Sequence, residues 1–142
     1  MVTTATGDLI IPLAGTAAAV GIARTLADAR LCKWDYSHIL DDSLVIVSEL
    51  VTNAARHAPY TELRLQLSRD SQGVIIAVWD SSPELPRLKP LSELILDVFD
   101  MSEEAFDDNG GRGLHIVQAL SASCGVTRDP SGGKWVWARM SP

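Results

Sequence analysis

Cysteine is nearly missing from this chain: Cys32 and Cys124 are the only two, far apart and not in a CxxC pair. A disulfide framework or a thiolate metal site is not expected, and the usage suits a reducing compartment. Histidine is scarce too. None of His38, His57 and His115 lies at ligand spacing from another, which disfavours a metalloenzyme. Positive charge is in deficit, with 12 Lys and Arg against 18 Asp and Glu and a formal net charge of -6. A nucleic-acid binder needs a basic face to neutralise phosphates, so no direct nucleic-acid contact is expected. No apolar run approaches the roughly 20 residues of a membrane span. Met1-Val2-Thr3-Thr4 opens without the basic stretch and apolar run of a signal peptide. The expected location is cytoplasmic, with no membrane partner.

What remains is a globular composition, 46% hydrophobic and 21% charged over 142 residues. That is enough chain for one domain with a real core. No repeat or linker divides it, so residues 1–142 are read as a single domain with residues 1–8 frayed. Residues 9–13 read as a short strand, placed at a sheet edge by Pro12. Thr16 is the expected N-cap of a helix to about Arg30, with Ala19, Ile22, Ala23, Leu26 and Ala29 as its apolar side. After a loop, Ser37 or Asp41 can cap a second helix reaching about Ala58. Residues 61–69 alternate, with Leu63, Leu65 and Leu67 on one face, as in a half-buried antiparallel strand. Asp70-Ser71-Gln72-Gly73 is a hairpin turn, and residues 74–79 form a central strand that delivers Asp80.

Three prolines then mark a loop, and residues 91–106 read as amphipathic helical turns. Asp107-Asp108-Asn109-Gly110-Gly111 reads as a flexible break, followed by a third main helix over 113–122, a strand over 125–128, a turn and a last strand over 134–140. This order predicts an α/β two-layer sandwich: a mainly antiparallel mixed sheet covered on one face by about three helices.

Three features carry chemistry. Glu49, Asn53 and His57 sit four apart on the second helix and form a polar row beside its apolar stripe. Asn53 can offer its side-chain oxygen to Mg²⁺, which keeps several waters and borrows phosphate oxygens. Glu49 can polarise a hydroxyl attacking a terminal phosphate. Alone, His57 reads as structural. Asp80 ends an apolar strand and needs a donor; an adenine amine would serve, and so would a local Asp turn with Ser81-Ser82-Pro83. Gly110-Gly111-Arg112-Gly113 leads into a helix N-terminus, where free N–H groups, close backbone approach and the Arg112 fork suit a phosphate; a simple hinge fits equally. It matches neither the phosphate loop GxxxxGK[ST] nor a dinucleotide fingerprint.

Taken together, these residues resemble the GHKL ATPase superfamily, with its Bergerat ATP-binding fold, over nearly the whole chain. Closer still, the chain looks like the bacterial anti-sigma-factor serine kinases of actinobacterial type. Residues 49–58, Glu-Leu-Val-Thr-Asn-Ala-Ala-Arg-His-Ala, match the N-box. Val78-Trp79-Asp80-Ser81-Ser82-Pro83 corresponds to the adenine-binding box, and Gly110-Gly111-Arg112-Gly113-Leu114 to the glycine box closing the ATP lid. Gly133-Lys134-Trp135-Val136-Trp137 fits the last strand of that branch.

The resemblance implies ATP and Mg²⁺ as cofactors. Asn53 would hold the metal, Glu49 would be the general base, and Asp80 would bond the adenine amine. Nucleotide contacts would come from Asn53, Arg56, His57, Asp80, Ser82, Gly110, Gly111, Arg112, Gly113 and Leu114. It further implies phosphorylation of a serine on a STAS-domain antagonist, sequestration of a sigma factor, and a homodimer as an allowed state. Two positions depart from the pattern. Ser82 stands in place of a glycine, and Trp135 where relatives often carry a threonine that helps hold adenine through water. A second reading stays open on them: a non-catalytic protein-binding regulator with weak or no nucleotide binding. A histidine-kinase catalytic domain cut from a receptor is disfavoured, because no helix with a phospho-accepting histidine is read before residue 9.

Overall fold

Alternation builds the sheet. Side chains at i and i+2 share a face of a strand. In β2 (Glu62–Asp70), Leu63, Leu65 and Leu67 are fully buried; β3 (Gly73–Asp80) buries Val74, Ile76 and Val78 beside them. The structure is a computed structural model that describes residues 7–84 and 110–142, the side chains of 110–113 excepted. The expected fraying of residues 1–6, the helical turns over 91–106 and the break at 107–109 lie outside the described residues.

Five strands pair in the order β1-β2-β3-β5-β4, with β1 (Leu9–Ala14), β4 (Ser123–Arg128) and β5 (Lys134–Met140) completing the sheet. Every pairing among the described strands is antiparallel. Pro12 sits in β1 at the sheet edge, where its missing N–H costs no ladder bond. The β2–β3 turn falls at Asp70↔Gly73 as expected, and Gln72 N–H donates to Asp70 Oδ1 at 2.9 Å. Gly73 is required there: its φ is 124° and a Cβ would stand 1.8 Å from the Met140 carbonyl oxygen.

Among the described residues three helices cover one face: α1 (Ala18–Lys33), α2 (Leu40–His57) and α3 (Gly110–Leu120). α2 is the centre of this layer, packing on α1, α3 and β3, with Ile46, Val47, Leu50 and Val51 in the core. Two expectations for α1 fail. Its buried stripe is Ala19, Ala23, Ala27 and Leu31, while Ile22 and Leu26 are exposed. Small side chains let α1 approach α2 closely, and that contact outweighs side-chain size in choosing the buried face. Thr16 gives no side-chain cap; its carbonyl instead accepts from Ala19 N–H at 3.1 Å. Nor do Ser37 or Asp41 cap α2, which is entered through a 3₁₀ turn at Ser37–Ile39. Asp41 and Asp42 in its first turn complement the helix dipole instead. Cys32 and Cys124 are both free thiols, and among the described residues no helix is long and apolar enough to cross a membrane.

Candidate functional site

The parity that buries Val74, Ile76 and Val78 also turns Asp80, the last residue of β3, toward the helices, where it is 0% exposed. Its Oδ1 accepts from Ser82 N–H at 2.9 Å and from Lys134 Nζ at 2.8 Å. Its Oδ2 is buried with no partner among the described residues. Thus the turn reading of Asp80 holds and uses one oxygen, while the other oxygen is not taken up by the turn.

Lys134 was missed by sequence reasoning. It opens β5 directly opposite Asp80 and is as fully buried as its partner. A second bond runs from Nζ to the Ser82 carbonyl at 3.3 Å. Counting back from Val136 places Lys134 on the inward face, so the signal was present in the alternation. The same parity corrects the expectation for Trp135. It faces the opposite side of the sheet, where its indole N–H donates to Asp129 Oδ2 at 2.9 Å, and it cannot reach the Asp80 side. Gly133 permits this junction. Its φ is 76°, and a Cβ would lie 2.3 Å from the Asp80 carbonyl oxygen.

α2 supplies the polar row. Asn53 is 6% exposed and its Nδ2 is buried without a partner among the described residues. One turn on, the Nδ1 of His57 is in the same condition. Burial lowers the His57 pKa; the Lys134 cation adds to that, while Asp80 and Glu84 oppose it. The imidazole is therefore held toward its neutral form, and it shares the electrostatic environment of Asp80 and Lys134. Glu49 is half-buried. Burial raises its pKa against the pull of the Arg56 charge, which makes it a stronger base.

The remaining expected residues are placed as follows. Ser82 is nearly buried, and its Oγ accepts from Glu84 N–H at 3.1 Å. Arg56 is exposed and lines a groove of about 390 Å³ with Thr16, Thr52 and Tyr60. Gly110, Gly111, Arg112 and Gly113 are not a hinge before the helix: α3 begins at Gly110 and takes them as its first turn. The backbone N–H groups of a first turn have no intrahelical acceptor, so the free N–H groups of this helix belong to these residues. Leu114 packs against the core and borders a cavity of about 190 Å³ with Val117, Cys124 and Val136.

A family model described as a histidine kinase-like ATPase domain matches residues 13–140. The chain belongs to that family. No curated protein matches it. In this ATPase domain the matched span holds α2, Asp80, Lys134 and the start of α3. Among the described residues no group of three or more His, Cys, Asp or Glu could hold a metal ion. A Mg²⁺ ion would be held by the Asn53 side-chain oxygen together with phosphate oxygens, a donor set that suits this cation. The unpartnered atoms fit a nucleotide. Buried polar groups are normally satisfied, and here an acceptor and an amide donor are not.

Proposed function

We propose that this ATPase domain is an ATP-binding regulator of the anti-sigma-factor serine/threonine kinase type, which phosphorylates a STAS-domain antagonist, sequesters a sigma factor, or does both. The observation that carries the nucleotide part is the set of unpartnered buried atoms: Asp80 Oδ2, Asn53 Nδ2 and His57 Nδ1. Asp80 Oδ2 accepts the adenine amine. The first turn of α3 offers N–H groups to the phosphates, and by resemblance Arg112 and Arg56 supply positive charge to them. Asn53 contributes its side-chain oxygen to Mg²⁺, which when bound neutralises phosphate charge. Glu49, made more basic by burial, takes the proton of the acceptor hydroxyl.

The sigma factor and STAS partners rest on the resemblance of the N-box and glycine box, and so does a homodimer. A thermal shift with Mg-ATP tests the nucleotide site. ATP should stabilise the wild type but not Asp80→Asn or Asn53→Ala, and a wild type indifferent to every nucleotide would sink the reading. Transfer of labelled phosphate to a STAS-domain protein, abolished by Glu49→Ala, tests the kinase. Two observations favour the second reading, a protein-binding regulator with weak or no nucleotide affinity. Lys134 already occupies one oxygen of Asp80, and the Ser82 side chain stands where a glycine would leave room.

A further inference from the structure

The Asp80–Lys134 pair has an asymmetry that a purely structural ion pair has no need of. Both side chains are buried, 1% and 0% exposed at the side-chain level, yet all the bonding falls on one carboxylate oxygen. A buried pair normally requires its remaining lone pairs to be satisfied as well. Here Oδ2 has no donor among the described residues, while Nζ is held by Asp80 Oδ1 and the Ser82 carbonyl. Lys134 therefore fixes the carboxylate by one oxygen and leaves the other as a buried group that can only accept.

We propose that Lys134 sets the base selectivity of the nucleotide site. By pairing with Oδ1 it keeps Oδ2 an acceptor, which suits the amine of a 6-amino purine and repels the carbonyl oxygen of a 6-oxo purine. The proposal rests on the ATP reading above. Without the ammonium group, an isolated buried carboxylate neutralises by taking up a proton. The carboxyl then carries an O–H donor and tolerates a 6-oxo base. Lys134 acts through Asp80 and is a positioning residue, so loss of affinity alone does not identify its role. The ratio of affinities for ATP and inosine triphosphate does, because the two differ only in the base.

The experiment is titration of the full chain with each nucleotide in the presence of Mg²⁺, using wild type, Lys134→Arg, Lys134→Met and Lys134→Gln, with folding checked by melting curves. Wild type should prefer ATP by roughly tenfold or more, the scale of leaving a buried polar group unmatched. Lys134→Arg keeps the charge and should keep the preference. Lys134→Met and Lys134→Gln should bring the two affinities together. If Lys134→Met does not fold, Lys134→Gln decides, since its amide still donates a hydrogen bond to Asp80 but carries no charge. A folded Lys134→Met or Lys134→Gln that retains the wild-type preference overturns the proposal. So does a wild type that binds both nucleotides equally, which leaves the ATP reading standing. A wild type that binds neither removes the ATP reading, and this inference with it.

Discussion

Two aspartates close to the start of β5 make the same local turn and end in opposite states. Asp80 and Asp129 each accept, at Oδ1, the N–H of the residue two positions on, at 2.9 Å. Asp129 lies in the β4–β5 turn. Its Oδ1 also takes the Ser131 hydroxyl and its Oδ2 takes the Trp135 indole, so both oxygens are engaged. Those hydrogen bonds hold its pKa down to about 2. Asp80 lies on the helix-covered side with one oxygen doubly bonded and the other bare. The partners of the two, Trp135 and Lys134, are adjacent in sequence on opposite faces of one strand. An aspartate that only builds a turn closes on itself. An aspartate with an open buried oxygen keeps an acceptor that its turn does not use.

The largest effect expected from this contrast is on stability. Lys134→Met strands a buried carboxylate and should cost about 3–5 kcal/mol in urea unfolding, with much of the loss recovered when Asp80→Asn is added. A loss no larger than that of an ordinary surface substitution would mean that the pair is solvated. Next comes the ligand. At a Mg-ATP concentration about 100 times Kd, wild type should gain about 2.7 kcal/mol by linkage. Asp129→Asn should keep that gain and Asp80→Asn should lose it; equal behaviour would erase the distinction between the two aspartates.

Smaller effects separate the sites by pH. The folded pKa of Asp129, about 2, lies below its ordinary 3.8. Its contribution is thus full above the ordinary value and is lost as pH falls through the folded one. Asp129→Asn should flatten the acid limb of the stability curve between about pH 4 and 2, measured by melting. His57 is also depressed, from 6.5, chiefly by burial. The folded state prefers the neutral ring, so stability should fall as pH drops below about 6.5, and His57→Gln should remove that slope. A slope unchanged by the substitution would place the ring in water.

Much of this was legible in order. Leu63, Leu65 and Leu67 announce an inward strand face, and the hairpin at Asp70↔Gly73 falls where its turn residues put it. The row of Glu49, Asn53 and His57 follows from helix periodicity, and Asp80 from its place at the end of an apolar run. Other features were not legible. Ile22 and Leu26 look like core and are exposed, because the close approach of α2 selects alanines. The glycines after residue 109 read as a break, yet α3 begins on them. Propensity disfavours glycine in helices by only about 1 kcal/mol each, an amount that packing on α2 overrides.

Local periodicity depends on neighbours a few residues apart, and so the chain alone determined its strands, its helices and the polar row on α2. Which cation meets Asp80 depends on the register of β3 against β5, between residues 54 positions apart. Only the folded sheet decides that, because a shift of one residue would turn Lys134 outward and bring Trp135 in its place.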